Sequence, residues 1–312
     1  MAVELSIIVP VFDEADVLPI FYAQTNKVLA STGIDYEIIF IDDGSTDDSL
    51  VILEQLFKQA PNQVRYFSLS RNFGHEAATT CGFAHCRGNA AILMDADLQD
   101  PPKLIPKMLE KWREGYDVVA ARRKSRSGES FLKRFTSYFF YRLLDRFSDV
   151  KIPKDVGDFR LVDRKVIEHF NGMHERNRFV RGMFPWLGYR HFILDYDRDP
   201  RHSGKSKYNY SKLFWLSLEA LSGFSVAPLR IATVFGIFIS LFSLALGLAV
   251  LLDKLIFNLA LPGYALLAAG MFFLGGVQIL FLGLIGEYIG KIYREVQQRP
   301  LFIVKENSDN GA

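Results

Sequence analysis

Ala90-Ala91-Ile92-Leu93-Met94-Asp95-Ala96-Asp97-Leu98-Gln99-Asp100-Pro101-Pro102 is the stretch on which the reading of this chain turns. Residues 90–94 form a short apolar run, the pattern of a buried strand. The run ends in two carboxylates one residue apart, and in an extended segment such residues point the same way. Asp95 and Asp97 are therefore placed to converge on one cation. Asp100, with Pro101 and Pro102 behind it, ends the strand and is positioned to cap a helix. Hard oxygen ligands at the carboxyl end of a strand suit Mg²⁺ or Mn²⁺ bridging a diphosphate. A bare Asp-x-Asp is more often an acidic turn, so the surrounding pattern has to decide.

Outward from this stretch the same unit recurs. Residues 4–9 read as a strand ending in Pro10-Val11-Phe12-Asp13-Glu14, and residues 17–31 have helical spacing. Residues 36–41 are nearly all apolar and β-branched, as in a buried parallel strand, and end in Asp42-Asp43-Gly44-Ser45-Thr46-Asp47. Ser45 or Thr46 is suited to cap the helix that runs to about Gln59. Residues 64–69 are a third strand, followed by Ser70-Arg71-Asn72-Phe73-Gly74 and a helix over residues 75–86. Strand, polar loop and helix in repetition predict an α/β fold with a mostly parallel sheet and helices on both faces. Ligands then bind at the carboxyl ends of the strands, where all the polar clusters fall. There is no Gly-x-Gly-x-x-Gly after the first strand and no Gly-Lys-Ser/Thr loop, so a dinucleotide or P-loop site is not supported.

The chain has 312 residues and a net charge of +2, so no global field argues for nucleic acid. With 27 Phe, 13 Tyr and 49% apolar residues, composition leans towards membrane contact. Cys81 and Cys86 flank His85 in a helix-like run without a second pair, and read as buried small residues rather than metal ligands or a disulfide. The first apolar run is too short for a signal peptide, which places the first two-thirds of the chain in the cytoplasm.

The ordered set Ile8-Val9-Pro10-Val11-Phe12-Asp13-Glu14, Asp42-Asp43-Gly44-Ser45-Thr46-Asp47 and Asp95-Ala96-Asp97-Leu98-Gln99 resembles family 2 glycosyltransferases of the GT-A, Rossmann-like fold. With the apolar tail described below, the chain is similar to the polyprenyl-phosphate glycosyltransferases, the group that includes dolichol-phosphate mannose synthase and bactoprenol glucosyltransferase. The resemblance implies that Pro10, Val11, Asp13, Glu14 and Asp42 hold base and ribose, with Arg71 and Asn72 lining the pocket. It implies that Asp95 and Ala96 meet the donor, and that Asp95, Asp97 and Gln99 hold the metal and diphosphate. An aspartate set as Asp158 is in Val156-Gly157-Asp158-Phe159-Arg160-Leu161 faces the reacting sugar in the family, so Asp158 and Asp97 are the implied catalytic residues. Gly157 permits a sharp turn beside Asp158.

Residues 116–121 are a further strand, leading into Arg122, Arg123, Lys124 and Arg126, then Lys133 and Arg134. Six cations in thirteen residues beside an acidic site suit a phosphate-bearing partner, although a solvated basic helix face has the same pattern. Arg122, Arg126 and Arg134 are the candidate ligands of an acceptor phosphate, and Arg122 and Arg134 match positions of that role in similar enzymes. Phe179, Arg181, Met183 and Trp186 are expected to close the acceptor side. By resemblance, residues 198–208 are a loop over the donor diphosphate, with Arg201, Ser206 and Lys207 as contacts. The Gln-x-x-Arg-Trp motif of processive polysaccharide synthases is absent, which argues for a single sugar transferred.

Residues 210–227 have one apolar face, an amphipathic helix lying among lipid headgroups or packed on a core. Residues 231–252 and 264–286 carry no charge over 22 and 23 residues, each more than the roughly 20 needed to cross hydrocarbon. The expected organisation is a GT-A catalytic domain over 1–208, an interfacial helix over 209–228, a two-span membrane domain over 229–290 and a tail over 291–312. Lys212, Arg230, Lys291, Arg294 and Arg299 flank the spans, which puts both ends in the cytoplasm, with the protein in the cytoplasmic membrane. Gly275, Gly276, Gly283, Gly286 and Gly290 would let helices approach closely, within a subunit or between copies in a homo-oligomer. Residues 300–304 suggest a short returning strand, and residues 306–312 disorder.

The function this implies is inverting transfer of one sugar from a nucleotide-sugar to polyprenyl phosphate, with UDP-glucose favoured and GDP-mannose or another UDP-sugar as alternatives. Two rivals are an anchored enzyme with a soluble acceptor, and a non-catalytic nucleotide-sugar-binding component of a lipid-sugar transporter. The second is disfavoured because two spans without intramembrane charge make a poor translocation path.

Overall fold

Strand β2 (Tyr36–Asp42) is buried at every position because it lies between β1 (Leu5–Val11) and β3 (Val64–Leu69), parallel to both. β4 (Ala90–Leu93) pairs in parallel with the other edge of β1. Leu5, Ile7 and Val9 of β1 face one way, onto α1 (Leu18–Thr32), α2 (Ser49–Gln59) and α4 (Ile105–Arg113). Ile8 faces the other way, into the layer that holds α3 (His75–His85), α5 (Arg164–Asn171) and α6 (Val180–Trp186). This two-residue alternation puts apolar side chains on both faces, and covering each face with helices buries them. α3 approaches β1 closely at Gly82, where a Cβ would fall 2.2 Å from Ile8 Cγ2. The computed structural model describes residues 3–123, 156–176, 178–196, 227–257 and 263–311.

Beyond β4 the sheet changes character. β6 (Val156–Asp163) pairs antiparallel with β4 and with β5 (Val118–Arg123), and β5 pairs in parallel with β7 (His191–Tyr196). β8 (Val304–Asn307) closes the far edge, antiparallel to β3. The eight described strands run β7-β5-β6-β4-β1-β2-β3-β8. The sheet is thus mixed, parallel at its centre, with antiparallel additions towards both sides.

Several local expectations need correction. Residues 156–161 are not a turn at Gly157 but the start of β6, because β4 and β5 both offer it hydrogen bonds. Neither Ser45 nor Thr46 caps α2, which begins at Ser49 with no side-chain cap. Asp100 caps no helix: the 3₁₀ turn Pro102–Leu104 follows Pro101 without a side-chain cap. Residues 306–311 are not disordered, since they contain the second half of β8 and a 3₁₀ turn.

The chain divides into two compact units. One comprises Met1–Asp145, Val150–Asn209 and Arg299–Ala312, and the other Arg146–Asp149 and Tyr210–Gln298. In the second, α7 (Ala227–Phe257) touches α8 (Tyr264–Val296). Phe235, Phe238 and Phe242 of α7, and Met271, Phe273 and Ile279 of α8, are exposed. Among the described residues one helical stretch, Phe273–Val296, is long and apolar enough to cross a membrane, and none of it is buried inside the protein. So much unpartnered apolar surface associates with a membrane. α7 contributes a shorter apolar stretch, Ala232–Ser243. Most of the expected interfacial helix lies outside the described residues.

Candidate active site

The strand order creates the site. The chain steps outward from β1 through β2 to β3, then returns to place β4 on the other side of β1. The carboxyl ends of β1 and β4 therefore diverge into a crevice, the usual ligand position in such sheets. Pro10 shows how the sequence accommodates this. Pairing with β4 ends where the Met94 N–H donates to the Ile8 carbonyl at 3.0 Å, while β1 stays paired with β2 up to Asp42. Two residues on from Ile8, Pro10 sits where no donor towards β4 is needed.

The loops after β1 and β2 are laced together. The Asp13 N–H donates to Ser45 Oγ (3.0 Å), the Thr46 N–H to Asp13 Oδ1 (2.7 Å), the Glu14 N–H to Ser49 Oγ (3.0 Å) and the Ala15 N–H to Asp47 Oδ2 (3.1 Å). Asp13 adopts a left-handed conformation, φ 53°, to make this turn. Ser, Thr and Asp are the residues whose short side chains satisfy loop backbone this way. Asp42 is buried, accepting from the Ser45 N–H (3.1 Å) and the Ser68 hydroxyl (2.8 Å). Each of its oxygens keeps a second lone pair. Asp43 grips the next loop, accepting from the N–H groups of Phe73 (2.7 Å) and Gly74 (2.9 Å). Burial pushes the Asp43 carboxyl up, with those two N–H groups pulling against it. Arg71 lies 4.0 Å over the Phe73 ring and is exposed, as is Asn72.

Asp95 and Asp97 lie beyond the end of β4, in a turn where Leu98 has φ 60°. Their proximity therefore comes from the turn and not from strand alternation. The Gln99 N–H donates to Asp97 Oδ1 (3.0 Å), and the Asp95 N–H to Asp100 Oδ2 (3.3 Å). Ala96 and Gln99 are buried or nearly so. The Asp95 carboxyl is pushed up by desolvation and by the nearby Asp158 and Asp97, with His75 pulling it down.

Asp158 on β6 is 8% exposed, and both of its oxygens are held by Arg181 of α6, Nε to Oδ1 at 2.8 Å and Nη2 to Oδ2. Behind it the buried Arg160 donates to the carbonyls of Gly157 (2.8 Å) and Asp158 (3.3 Å) and rests 5.1 Å from the Phe184 ring. His75 at the start of α3 stands 3.7 Å from Asp158 Oδ2 and 3.9 Å from Asp95 Oδ1. Burial alone would raise the Asp158 carboxyl, but the hydrogen bonds and charge of Arg181, with Arg160 and His75, hold it down at about 2. Desolvation lowers Arg160 to about 10, so it stays a cation at neutral pH.

Arg160 and His75 were not singled out from the sequence. Both are lone residues of common types, and only packing reveals that they surround Asp158. Arg122, a candidate for acceptor phosphate, makes a bidentate pair with Asp195 of β7 at 2.7 and 3.0 Å, at the other end of the pairing from Val118. Arg126, Arg134, Arg201, Ser206 and Lys207 lie outside the described residues. Cys81 and Cys86 are buried thiols, pushed up to about 12 and about 11 by desolvation.

No group of three or more His, Cys, Asp or Glu side chains arranged to hold a metal occurs among the described residues. Mg²⁺ does not require one: it is commonly bound by one or two carboxylates, with substrate phosphates and water completing its shell. Asp95, Asp97 and the Gln99 amide are hard oxygen donors of that kind.

The model of the family described as Glycosyl transferase family 2 matches residues 6–170, which contain the carboxylates from Asp13 to Asp158. An uncharacterised glycosyltransferase of Synechocystis sp. is 45% identical over 306 residues, 98% of this chain and 96% of that protein. The bactoprenol glucosyl transferase of Shigella phage SfII is 41% identical over 304 residues, 97% of this chain and 98% of the phage protein. A prophage bactoprenol glucosyl transferase homolog of Escherichia coli is 41% identical over 302 residues, with the same coverage. With the matched segment spanning the crevice between β1 and β4 and the relatives extending over nearly the whole chain, this protein belongs to the family 2 glycosyltransferases.

Proposed function

We propose that this enzyme transfers one glucose from UDP-glucose to a polyprenyl phosphate at the cytoplasmic face of a membrane, inverting the anomeric centre. Full-length relatives named as bactoprenol glucosyl transferases support the acceptor and the sugar. The observation that carries the chemistry is the state of Asp158. An oxygen of the acceptor phosphate attacks the anomeric carbon, and the bond from that carbon to the donor diphosphate breaks, its electron pair leaving with the nucleoside diphosphate. A phosphate monoester has a second pKa near 6 and is mostly dianionic at neutral pH. Passing its last proton to a carboxylate held at about 2 would cost roughly 5 kcal/mol. Asp158 is thus unsuited to be the base, and the acceptor needs none. It remains an anion, placed to orient the reactants and to stabilise positive charge developing at the anomeric carbon.

Asp42, Asp13, Glu14, Pro10, Val11, Arg71 and Asn72 surround base and ribose in this reading, and Asp95, Asp97 and Gln99 would hold Mg²⁺ or Mn²⁺ against the diphosphate. The cation would supply charge neutralisation for the departing group. Arg122, Arg126 and Arg134 receive the acceptor phosphate, with Asp195 as the ion that Arg122 exchanges for it. Arg201, Ser206 and Lys207 contact the donor diphosphate.

The two-span topology belongs to the same proposal. Chain connectivity supports it: residues before and after the apolar segment both belong to the catalytic unit, through β3 and β8. A segment whose two ends fold into one domain crosses a membrane an even number of times. The domain limits and an interfacial helix over 209–228 belong to the same proposal on the sequence pattern, and a cytoplasmic catalytic domain on the cations that flank the apolar segment.

The test is a donor panel of UDP-glucose, other UDP-sugars and GDP-mannose with undecaprenyl phosphate and Mg²⁺ or Mn²⁺, following lipid-linked product. Glucosyl lipid from UDP-glucose is the expected result. Product from GDP-mannose alone would overturn the donor, and no nucleoside diphosphate release from any donor would overturn the activity.

A further inference from the structure

β8 and its flanks contact the catalytic unit at both ends of β3. At the amino end, Arg65 is a buried cation between two carboxylates: Nη1 donates to Glu37 Oε2 (2.9 Å), and Nε and Nη2 grip Asp309, with Nε to Oδ1 at 3.0 Å. Arg87 adds a second cation 3.3 Å from Asp309. Ser308 is buried and accepts from the Tyr66 N–H at 3.1 Å. Along the strand, Asn307 and Glu306 face Phe67 and Ser68, and a bulge shifts Val304 opposite Leu69. Phe302 and Val304 pack on the core layer that includes Phe67. At the carboxyl end the Ser70 N–H donates to the Ile303 carbonyl at 2.9 Å.

Ser70 opens the loop that carries Arg71 and Asn72. That loop is held on its other side by Asp43, through Phe73 and Gly74, and by Gly44, whose missing Cβ would lie 2.5 Å from the Arg71 carbonyl carbon. Ser68, which binds Asp42, lies directly opposite Glu306. The tail therefore backs the segment that presents Asp42, Arg71 and Asn72, while its ionic anchor sits about 17 Å away, five residues of strand along β3.

We propose that residues 302–309 act as a strap that sets affinity for the donor nucleotide by fixing the loop from Ser70 to Gly74, with Asp309 as its remote anchor. This rests on the reading that Arg71 and Asn72 line the nucleotide pocket. An unstrapped loop would spend only part of its time in the binding conformation, and apparent affinity falls by that fraction. Arg65 and Asp309 act through the loop and are positioning residues, not catalytic ones.

The test is calorimetric titration of the full-length membrane protein with UDP and, separately, GDP, in Mg²⁺. The variants are Asp309→Ala, Asp309→Glu, a chain ending at residue 301, and Asn72→Ala as a probe of the pocket itself. Release of the strap is read independently as faster amide exchange in residues 64–70. Expected are an apparent Kd roughly 3- to 10-fold weaker in Asp309→Ala, partial recovery in Asp309→Glu, and recovery in the truncated chain on adding a peptide of residues 300–312. A strap that only stabilises the fold would lower the melting temperature and leave the Kd of folded protein unchanged. An unchanged Kd in any variant whose exchange shows the strap released overturns the proposal. If Asn72→Ala also binds as wild type does, the pocket reading fails instead. Should the truncated chain not fold, Asp309→Ala decides the matter.

Discussion

Asp158 and Arg181 form the pair on which the proposed chemistry depends, and their asymmetry gives two expectations. Asp158 is buried while Arg181 is 44% exposed, so the pair is anchored at the carboxylate and open at the guanidinium. Asp158→Asn keeps the volume and removes the charge proposed to face the sugar. The rate at saturating donor is expected to fall by about 10²-fold, the scale of removing one electrostatic contact to a transition state. The residual rate should keep the wild-type pH shape between about pH 6 and 9, because the titrating group is the acceptor phosphate. An acidic limb lost in the mutant and restored by raising pH would identify Asp158 as a base. Arg181→Ala acts in the opposite sense: without its hydrogen bonds and charge, burial is left to raise the Asp158 carboxyl against Arg160 and His75 alone. The sign for stability follows. A carboxyl held at about 2 when folded and near 3.9 when unfolded stabilises the fold above about pH 4 and loses that contribution as pH falls towards 2. Melting curves of Arg181→Ala should therefore differ most from wild type at neutral pH and converge with it in acid. Asp97→Asn weakens a proposed cation ligand at constant volume and is expected to lose most activity without a shift in melting temperature. Unchanged turnover in saturating Mg²⁺ and Mn²⁺ would remove Asp97 from the metal site.

At the level of elements, the loops after β1, β2 and β3 behave as one interlocked piece. Gly44 is the clearest example, since it combines φ 69° with backbone approach to Arg71 and Asn72 that leaves no space for a methyl group. Gly44→Ala is expected to cost about 1–3 kcal/mol, measurable as a lower melting temperature, and to weaken nucleotide binding at the same time. The central strands were legible because buried parallel strands are written as apolar runs, and residues 64–69 have the same limits in the structure. β6 was not, because Val156-Gly157-Asp158-Phe159-Arg160-Leu161-Val162-Asp163 interrupts its apolar positions with charges. β8 was expected over residues 300–304 and forms later, over Val304–Asn307, for a different reason. Val304-Lys305-Glu306-Asn307 has almost no strand character of its own and becomes a strand because β3 offers it an open edge. The candidate site was legible as strand-end carboxylates, but the division of hydrogen bonds between Asp42 and Asp43 depends on which N–H groups face each, and adjacent identical residues carry no such signal.

For the molecule as a whole, the catalytic unit is discontinuous in sequence, with the apolar helices inserted between β7 and β8. A chain cut at residue 230 loses β8 together with the apolar helices, so it is expected to lose nucleotide affinity as well as lipid acceptor use. Rejoining residues 299–312 through a flexible linker should restore the first and not the second, as read by calorimetry and by product formation on undecaprenyl phosphate in vesicles. Full lipid glucosylation by that relinked chain would deny the helices any positioning role. The contact between Arg65 and Asp309 spans 244 residues, a separation that has a bearing on biosynthesis. A freely closing loop of that length costs about 5 kcal/mol in chain entropy, a cost that falls as the intervening elements, the apolar helices among them, fold. While the ribosome is still producing those helices, the outer edge of β3 has no neighbour and is open to pairing with another nascent chain. Synthesis of the apolar helices is then a kinetic checkpoint for the catalytic unit, whose sheet acquires its last strand only after translation has passed residue 307.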